Sequence, residues 1–222
     1  MAVKEGDFVL LDYTGSTGGQ VFDTTVEKDA KENNIYLEER VYRPLVVEAG
    51  RGDLIKGMDK AILGMEKGKG KKVTVPPEEG YGPRDPKLVK IVPLKVFTDN
   101  KLNPFPGMPV KLDNMTARVQ SVSGGRVRVD FNHELAGRTL DFDLKVVDVI
   151  TGKEEKIRAL AGQFFDDGDI KIEVKGEKVV ATPKQELLKT QHYGKAKAYF
   201  ITQVTEKFPK MSVEFVEEYK KA

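Results

Sequence analysis

The 222-residue chain has no cysteine, no tryptophan and only two histidines, His133 and His192. Without cysteine there is no disulfide, no thiolate nucleophile and no Cys-ligated zinc or iron–sulfur centre. Two histidines make a His-based metal site thin: His133 reads as satisfying a backbone turn in "FNHELAG", and His192 as a surface residue in a polar stretch. No run approaches the ~18 consecutive apolar residues of a membrane span. The N-terminus, "MAVKEGDFVLLDY", has no secretory hydrophobic region. These absences place the chain in the cytoplasm, where the Asn114–Thr116 sequon and the Arg51–Asp53 "RGD" are chance matches. Charge of one sign is lacking too. The 37 basic and 35 acidic side chains leave a net +2, with no long-range pull on nucleic acid and no basic, aromatic-interleaved stripe to supply one.

What is present is a chain with 39% hydrophobic residues, enough to bury a core in one or two domains. "DFVLLDYTG" reads as a strand, "STGG" as a turn, and "QVFDTT" as the returning strand. Val26 to Leu37 is polar and irregular, a loop or short helical excursion. "YRPLVVEAGRGD" is a further strand ended by glycines. Leu54, Met58, Ile62 and Met65 then recur at helical spacing, before the strand "KKVTVPP". One short helix across antiparallel strands, with a long return to the period-2 strand Leu140, Phe142, Leu144, Val146, indicates an α+β fold.

The return itself carries structure. "MTARVQSVSGGRVRVDF" is a hairpin with Gly124–Gly125 at its tip, preceded by the extended, Pro-rich "PFPGMPVKL". Residues 88–130 therefore form a small mainly-β domain inserted between residues 1–87 and 131–151. Residues 152–222 change character and form a C-terminal α+β unit. Its first helix puts Ile157, Leu160, Ala161, Phe164 and Phe165 on one face. A hairpin turning at Gly176 follows, then a helical stretch with Pro183 in its first turn, a further helix through "AYFITQVTEKF", and a closing strand in "MSVEFVEEY". The helix from Glu154 and the strand at Met211–Tyr219 are candidates for self-association or contact with other proteins, the alternative being a packed accessory domain with no partner.

Familiar chemistries fail on residue type. "AGRGDLIKG" has Ile55 where a dinucleotide loop needs its third glycine, and "GMEKGKGKK" is followed by Val73 where a P-loop needs Ser or Thr. No G-x-S-x-G elbow or Ser/His/Asp set can be assembled. What remains is an apolar set, Tyr13, Phe22, Tyr81 and Phe142 at strand ends or turns, beside the Leu54–Ile55–Met58 helix entry. Taken alone these read as ordinary core aromatics.

"VLLDYTGSTGGQVFDTT", "GRGDLIKGMDKAILGMEKGKGKKVTVPPEEGYG" and "NHELAGRTLDFDLKVV" resemble, in order and spacing, the successive motifs of FKBP-type peptidyl-prolyl isomerases. The long gap resembles the flap insertion of the SlyD-like branch, and the added tail resembles archaeal long-type members. The resemblance implies an isomerase with Tyr13, Asp23, Tyr81 and Phe142 as catalytic residues and no cofactor or metal. It places Phe22, Leu45, Val47, Leu54, Ile55 and Met58 around the prolyl ring, with the Ile55 N–H meeting a ligand carbonyl. Met58 replaces the family's tryptophan floor, and Leu45 and Val47 stand at positions more often aromatic, so a wider, softer pocket is implied.

The implied partners are Xaa-Pro peptides and unfolded proteins, with no nucleic acid and no membrane. The insert would hold clients through Phe105, Met108, Val110, Met115 and Val119. Two alternatives are a holdase with a weak pocket and a metal-handling protein; the ending "VEFVEEYKKA" lacks the His/Cys-rich tail of the latter. Every pocket residue precedes Thr151, so a chain cut there is expected to keep peptide isomerisation.

Overall fold

The computed structural model of the protein describes residues 2–112, 115–166 and 168–219; the sequon's Asn114 lies outside them. Strands β1 (Phe8–Thr17) and β2 (Gln20–Thr24) lead to helix α1 (Glu27–Glu32), β3 (Leu45–Glu48), α2 (Lys56–Ile62) and β4 (Gly70–Val75). Next come β5 (Val89–Pro93), α3 (Leu94–Asp99), β6 (Pro109–Leu112), β7 (Met115–Ser123), β8 (Arg126–Asp130) and β9 (Leu140–Ile150). The chain continues through α4 (Lys153–Ala161), β10 (Ile170–Lys175), β11 (Lys178–Pro183), α5 (Gln185–Leu188), α6 (Tyr193–Lys207) and β12 (Ser212–Phe215). The fold class is α+β, in three sheets that each carry a core.

The first sheet runs β2-β1-β9-β4, with β3 also paired to β1. β1 is long enough to serve two partners on one side: Phe8–Leu11 pairs with β3 and Thr14–Thr17 with β2, while β9 runs along the other side. Burial along β9 alternates as its period-2 pattern predicts, with Leu140, Phe142, Leu144 and Val146 inward. α2 lies across this face and buries Met58, Ala61 and Ile62, at spacings of three and four residues.

The insert is a four-stranded sheet, β5-β8-β7-β6. The hairpin at Gly124–Gly125 is there, with both glycines at positive φ. Two features went unread in the sequence: β5, which pairs antiparallel with β8, and α3, whose Phe97 is 1% exposed at the centre of the insert's core. That core also holds Val110 and Val119. Both were expected to face clients, but at 7% and 1% exposure they are occupied with holding the insert together. Phe105 and Met115 are exposed, and Met108 is partly buried against the same core.

The third sheet, β10-β11-β12, is mixed, since β12 adds parallel to β11. α4 ends at Ala161, so Phe164 and Phe165 sit in the tight turns beyond it rather than on the helix; Gly162 is a poor helix former, and those turns still carry Phe165 into the core. Pro183 ends β11 opposite Ile170 instead of opening a helix, and α5 begins two residues later.

This unit is docked on the first sheet. Phe8 and Val46 belong to its core, with Leu10 and Ile150 packed against it, whereas Val9, Leu11 and Val47 face α2. Ile157, Leu160 and Ala161 of α4 lie inside this shared core, so the helix's apolar face is covered.

A tight contact sits between α2 and β4. A Cβ on Gly57 would lie 2.6 Å from Val75 Cγ1 and 2.7 Å from Cγ2, and Val75 is fully buried. Helix propensity favours Gly57→Ala by about 1 kcal/mol, but overpacking against a strand residue that has nowhere to go costs about 1–3 kcal/mol. The clash wins. Gly57→Ala is expected to lower the urea midpoint with an unchanged slope, followed by circular dichroism; a raised midpoint would show that Val75 yields.

Candidate active site

The site forms where the β1–β2 hairpin meets β9. Gly15 stands opposite Phe142 on one side and Asp23 on the other. A Cβ at Gly15 would come within 2.7 Å of Phe142 Cε1 and 2.8 Å of Phe22 Cζ, so glycine is what leaves room for the two rings to meet. Phe142 is the hub: its ring takes Phe22 edge-on at 5.9 Å and 89°, and Tyr13 at 6.2 Å and 65°. Such pairs contribute ~0.5–1.5 kcal/mol beyond the area they bury. Tyr13 and Phe22 lie within their strands, not at strand ends as their sequence context implied.

A polar chain runs along one wall. The Tyr13 hydroxyl donates to Asp23 Oδ2 at 2.5 Å, and Arg40 Nη1 donates to Asp23 Oδ1 at 2.7 Å. Burial, and then the Asp23 carboxylate, push the Tyr13 phenol far above its ordinary range, so it stays a neutral donor. Arg40 was missed in the sequence. It sits on the irregular segment after α1, which returns over itself by stacking Tyr36 on Tyr42 at 5.5 Å, with the Arg40 guanidinium 5.2 Å above Tyr42. The two tyrosines flanking "LEERV" were the available signal, too general to act on.

The floor and far wall come from α2 and the turn before it. Met58 is 4% exposed at the base, and Leu45, Leu54 and Ile55 pack half-buried against the same core as Tyr13 and Phe22. Val47, at 1% exposure, backs this layer from beneath and offers no open surface. Ile55 precedes α2 with extended backbone (φ −59°, ψ 147°), so its N–H stands outside the helix's own ladder. The turn leading to it is held from within: Asp59 of α2 accepts from the Gly50 and Gly52 N–H groups at 2.7 and 2.9 Å, and Asp53 Oδ2 accepts from the Glu48 N–H at 2.8 Å.

Tyr81 is 38% exposed at the lip, and burial together with the Asp23 charge raises its phenol pKa. His133 stacks on it at 4.1 Å and 3°, while its Nδ1 accepts the Leu135 N–H at 3.1 Å. The turn role read for His133 is accompanied by a second contact that the sequence did not reveal. A cavity of about 330 Å³ opens beside Tyr13, lined also by Arg40, Leu45 and, from the C-terminal unit, Gln163.

The structure thus brings Tyr13, Phe22, Asp23, Leu45, Leu54, Ile55, Met58 and Phe142 into one cluster, with Tyr81 at its edge. Residues 1–98 match the FKBP-type peptidyl-prolyl cis-trans isomerase family, and residues 90–135 match the family described as FKBP26, IF domain. Among similar proteins, the short-type peptidyl-prolyl cis-trans isomerase of Methanocaldococcus jannaschii is 44% identical over 153 residues, covering 69% of this chain and 98% of its own. The FKBP-type isomerase SlyD of Aeromonas hydrophila is 32% identical over 160 residues, 71% of this chain and 69% of its own. SlyD of Helicobacter pylori is 35% identical over 136 residues, 59% and 70%. The chain belongs to the FKBP-type peptidyl-prolyl cis-trans isomerases. It is an enzyme that accelerates rotation about the peptide bond preceding proline.

The half-buried phenol, with its pKa raised, should make stability depend on pH. The folded protein keeps the Tyr13 proton at pH values where the unfolded chain, with an ordinary tyrosine near pH ~10, has released it. Unfolding then releases a proton, so stability falls as pH rises through that range. Tyr13→Phe removes this contribution, and its unfolding free energy in urea should fall less steeply than the wild type's between about pH 9 and 11. Equal slopes would mean that Tyr13 ionises as an exposed tyrosine does.

Proposed function

We propose that the Phe142-centred cluster is the prolyl pocket and that Tyr13, Asp23, Tyr81 and Phe142 carry the catalysis. The supporting observation is the apolar ring cup with a single hydrogen-bonded polar chain, set beside the Ile55 N–H. The barrier to rotation, about 18–20 kcal/mol, arises from amide resonance. Resonance separates charge in the planar amide, and twisting removes that separation. A dry aromatic cup therefore disfavours the planar form relative to the twisted one. The prolyl ring rests against Phe142, Phe22 and Met58, while the Ile55 N–H holds the peptide by a carbonyl. Asp23, fixed by Arg40 and Tyr13, orients the wall; no proton moves in the reaction. Each tenfold in rate needs about 1.4 kcal/mol, within reach of packing and one oriented hydrogen bond.

We further propose that residues 88–130 act as a domain that holds unfolded clients beside this pocket. The two connectors to the insert run side by side. The Phe131 N–H donates to Leu88 O at 3.0 Å and the Gly137 N–H to Gly82 O at 2.8 Å, while Asn132 Oδ1 accepts from the Asp85 N–H at 2.8 Å. Arg84 pairs with the buried Asp130 between them. The insert's root is therefore stiff and adjoins Tyr81 through His133. Its exposed apolar side chains, Phe105 and Met115 with Ile91 on the edge strand β5, suit an extended client segment. A client held there keeps its prolines at high local concentration near the pocket. The covered apolar face of α4 removes the reason to invoke self-association through it. The setting we read for this work is the cytoplasm.

Two sets of measurements test these readings separately. Asp23→Ala, Tyr81→Ala and Phe142→Leu should each lower kcat/KM for an Xaa-Pro tetrapeptide by about tenfold, equivalent to about 1.4 kcal/mol, while unfolding stays cooperative. Full activity in all three would remove the pocket from this place. Replacing Leu88–Asp130 by a short Gly-containing turn, which the adjoining Leu88 and Phe131 backbones allow, should keep tetrapeptide activity within roughly tenfold. The same protein should lose most catalysis of a proline-limited refolding reaction and most suppression of aggregation. Undiminished refolding catalysis would leave the insert with a structural role alone.

A further inference from the structure

We infer that the C-terminal unit positions the peptide-binding segment of the isomerase pocket, with Gln163 and Lys207 as the two holding side chains. The segment is residues 44–55, which carries Leu45, Val47, Leu54 and Ile55. At its start, β3 pairs as a strand with β1 alone among the described residues, which leaves its other edge open to side-chain partners. Gln163, in the turns after α4, meets that edge with both ends of its amide. Its Oε1 accepts the Val46 N–H at 3.3 Å, and its Nε2 donates to Pro44 O at 3.4 Å, as a neighbouring strand would. Arg43, just before, donates to Phe165 O at 3.3 Å. The same Gln163 lines the cavity shared with Tyr13 and Leu45.

At the other end of the segment, Lys207 from the last turn of α6 reaches across. Its ammonium lies 2.8 Å from Asp53 Oδ2 and 3.3 Å from Glu48 Oε2, and its side chain is only 10% exposed. It also sits 5.7 Å above the Phe8 ring. Asp53 Oδ2 thus binds the Glu48 N–H and Lys207 at once, closing the turn from both sides. Asp53 is two residues from Ile55. A carboxylate that loses its ammonium here is left half-buried and turns toward water, loosening the turn that aims the Ile55 N–H. An amide misplaced by a fraction of an ångström gives up part of its interaction in the twisted state. A chain cut after Thr151 keeps every pocket residue but loses both holds, which revises the sequence expectation that peptide activity is indifferent to the tail.

This inference rests on the proposed placement of the peptide at Leu54–Ile55. Its test compares full-length Lys207→Met, Gln163→Ala and the double variant with Lys207→Arg, which keeps the charge. Tetrapeptide kinetics, thermal unfolding and amide hydrogen exchange at residues 50–55 are measured on each. The double variant should remain cooperatively folded, lose roughly threefold to tenfold in kcat/KM, and exchange the Leu54 and Ile55 amides faster. Lys207→Arg should recover most of both effects. Docking alone would lower the melting temperature without moving exchange at Leu54–Ile55 or the kinetics, and that outcome overturns the inference. Tyr81→Ala, run in parallel, separates the failures. A loss with Tyr81→Ala and none with the double variant removes the clamp only. No loss in either removes the pocket placement, and the clamp with it.

Discussion

Strand β1 belongs to two cores at once, and most of the molecule is arranged around that fact. Val9 and Leu11 face α2 and the pocket, while Phe8 and Leu10 face the C-terminal unit; β3 repeats the division with Val47 and Val46. Each large apolar side chain fully buried contributes about 1.5–3 kcal/mol, so the N-terminal half of the sheet is stabilised from both faces. Double burial also removes the usual guard on register. A one-residue slip would exchange one apolar set for another. The register is set instead by the bulges at Leu10/Leu11 and Gly15/Ser16, and by the site residues that lie between them.

The proposed pocket depends on a small residue as much as on large ones. Phe142 can be a hub because Gly15, directly opposite, has no side chain to fill the space its ring takes. The polar partners are arranged so that none is left wanting. Tyr13 donates to Asp23, Asp23 accepts from Arg40, and the buried Asp59 takes two glycine N–H groups from the turn before Leu54. Such bonds hold the wall and the turn of the proposed pocket in place in the free protein.

The insert repeats the same economy of parts on a smaller scale. Phe97, Val119, Val127 and Val129 make its core, and the connectors are tied by Asn132, by Arg84 with Asp130 and by the stack of His133 on Tyr81. Val110 and Val119 are apolar for the insert's own stability, and the apolar groups it shows to solvent are others, Ile91 and Phe105 among them. Apolar character in the sequence marks both sets alike. Only the packing tells them apart.

The pattern of this sequence by itself determined the α+β class and the interruption before the last strand of the isomerase sheet, while the apolar set around Phe142 read as a candidate pocket only through its resemblance to the FKBP-type motifs. These are local or periodic properties: alternation along Leu140–Val146, helical spacing from Leu54 to Met65, glycines at turns, and motifs whose residues stay in order. It left Arg40, Gln163 and Lys207 unmarked, and gave His133 its turn but not its stack on Tyr81, because a charged or polar residue looks the same in a solvated loop as in a half-buried bond. The run "FVLL" was read only as a strand; it is apolar on both faces, and nothing local says what covers the second one. Tertiary structure decided that. The C-terminal unit covers it, with Lys207 reaching residues more than a hundred positions earlier. Contacts over such separations follow from the shapes of two finished surfaces, and no period or spacing along the chain encodes them.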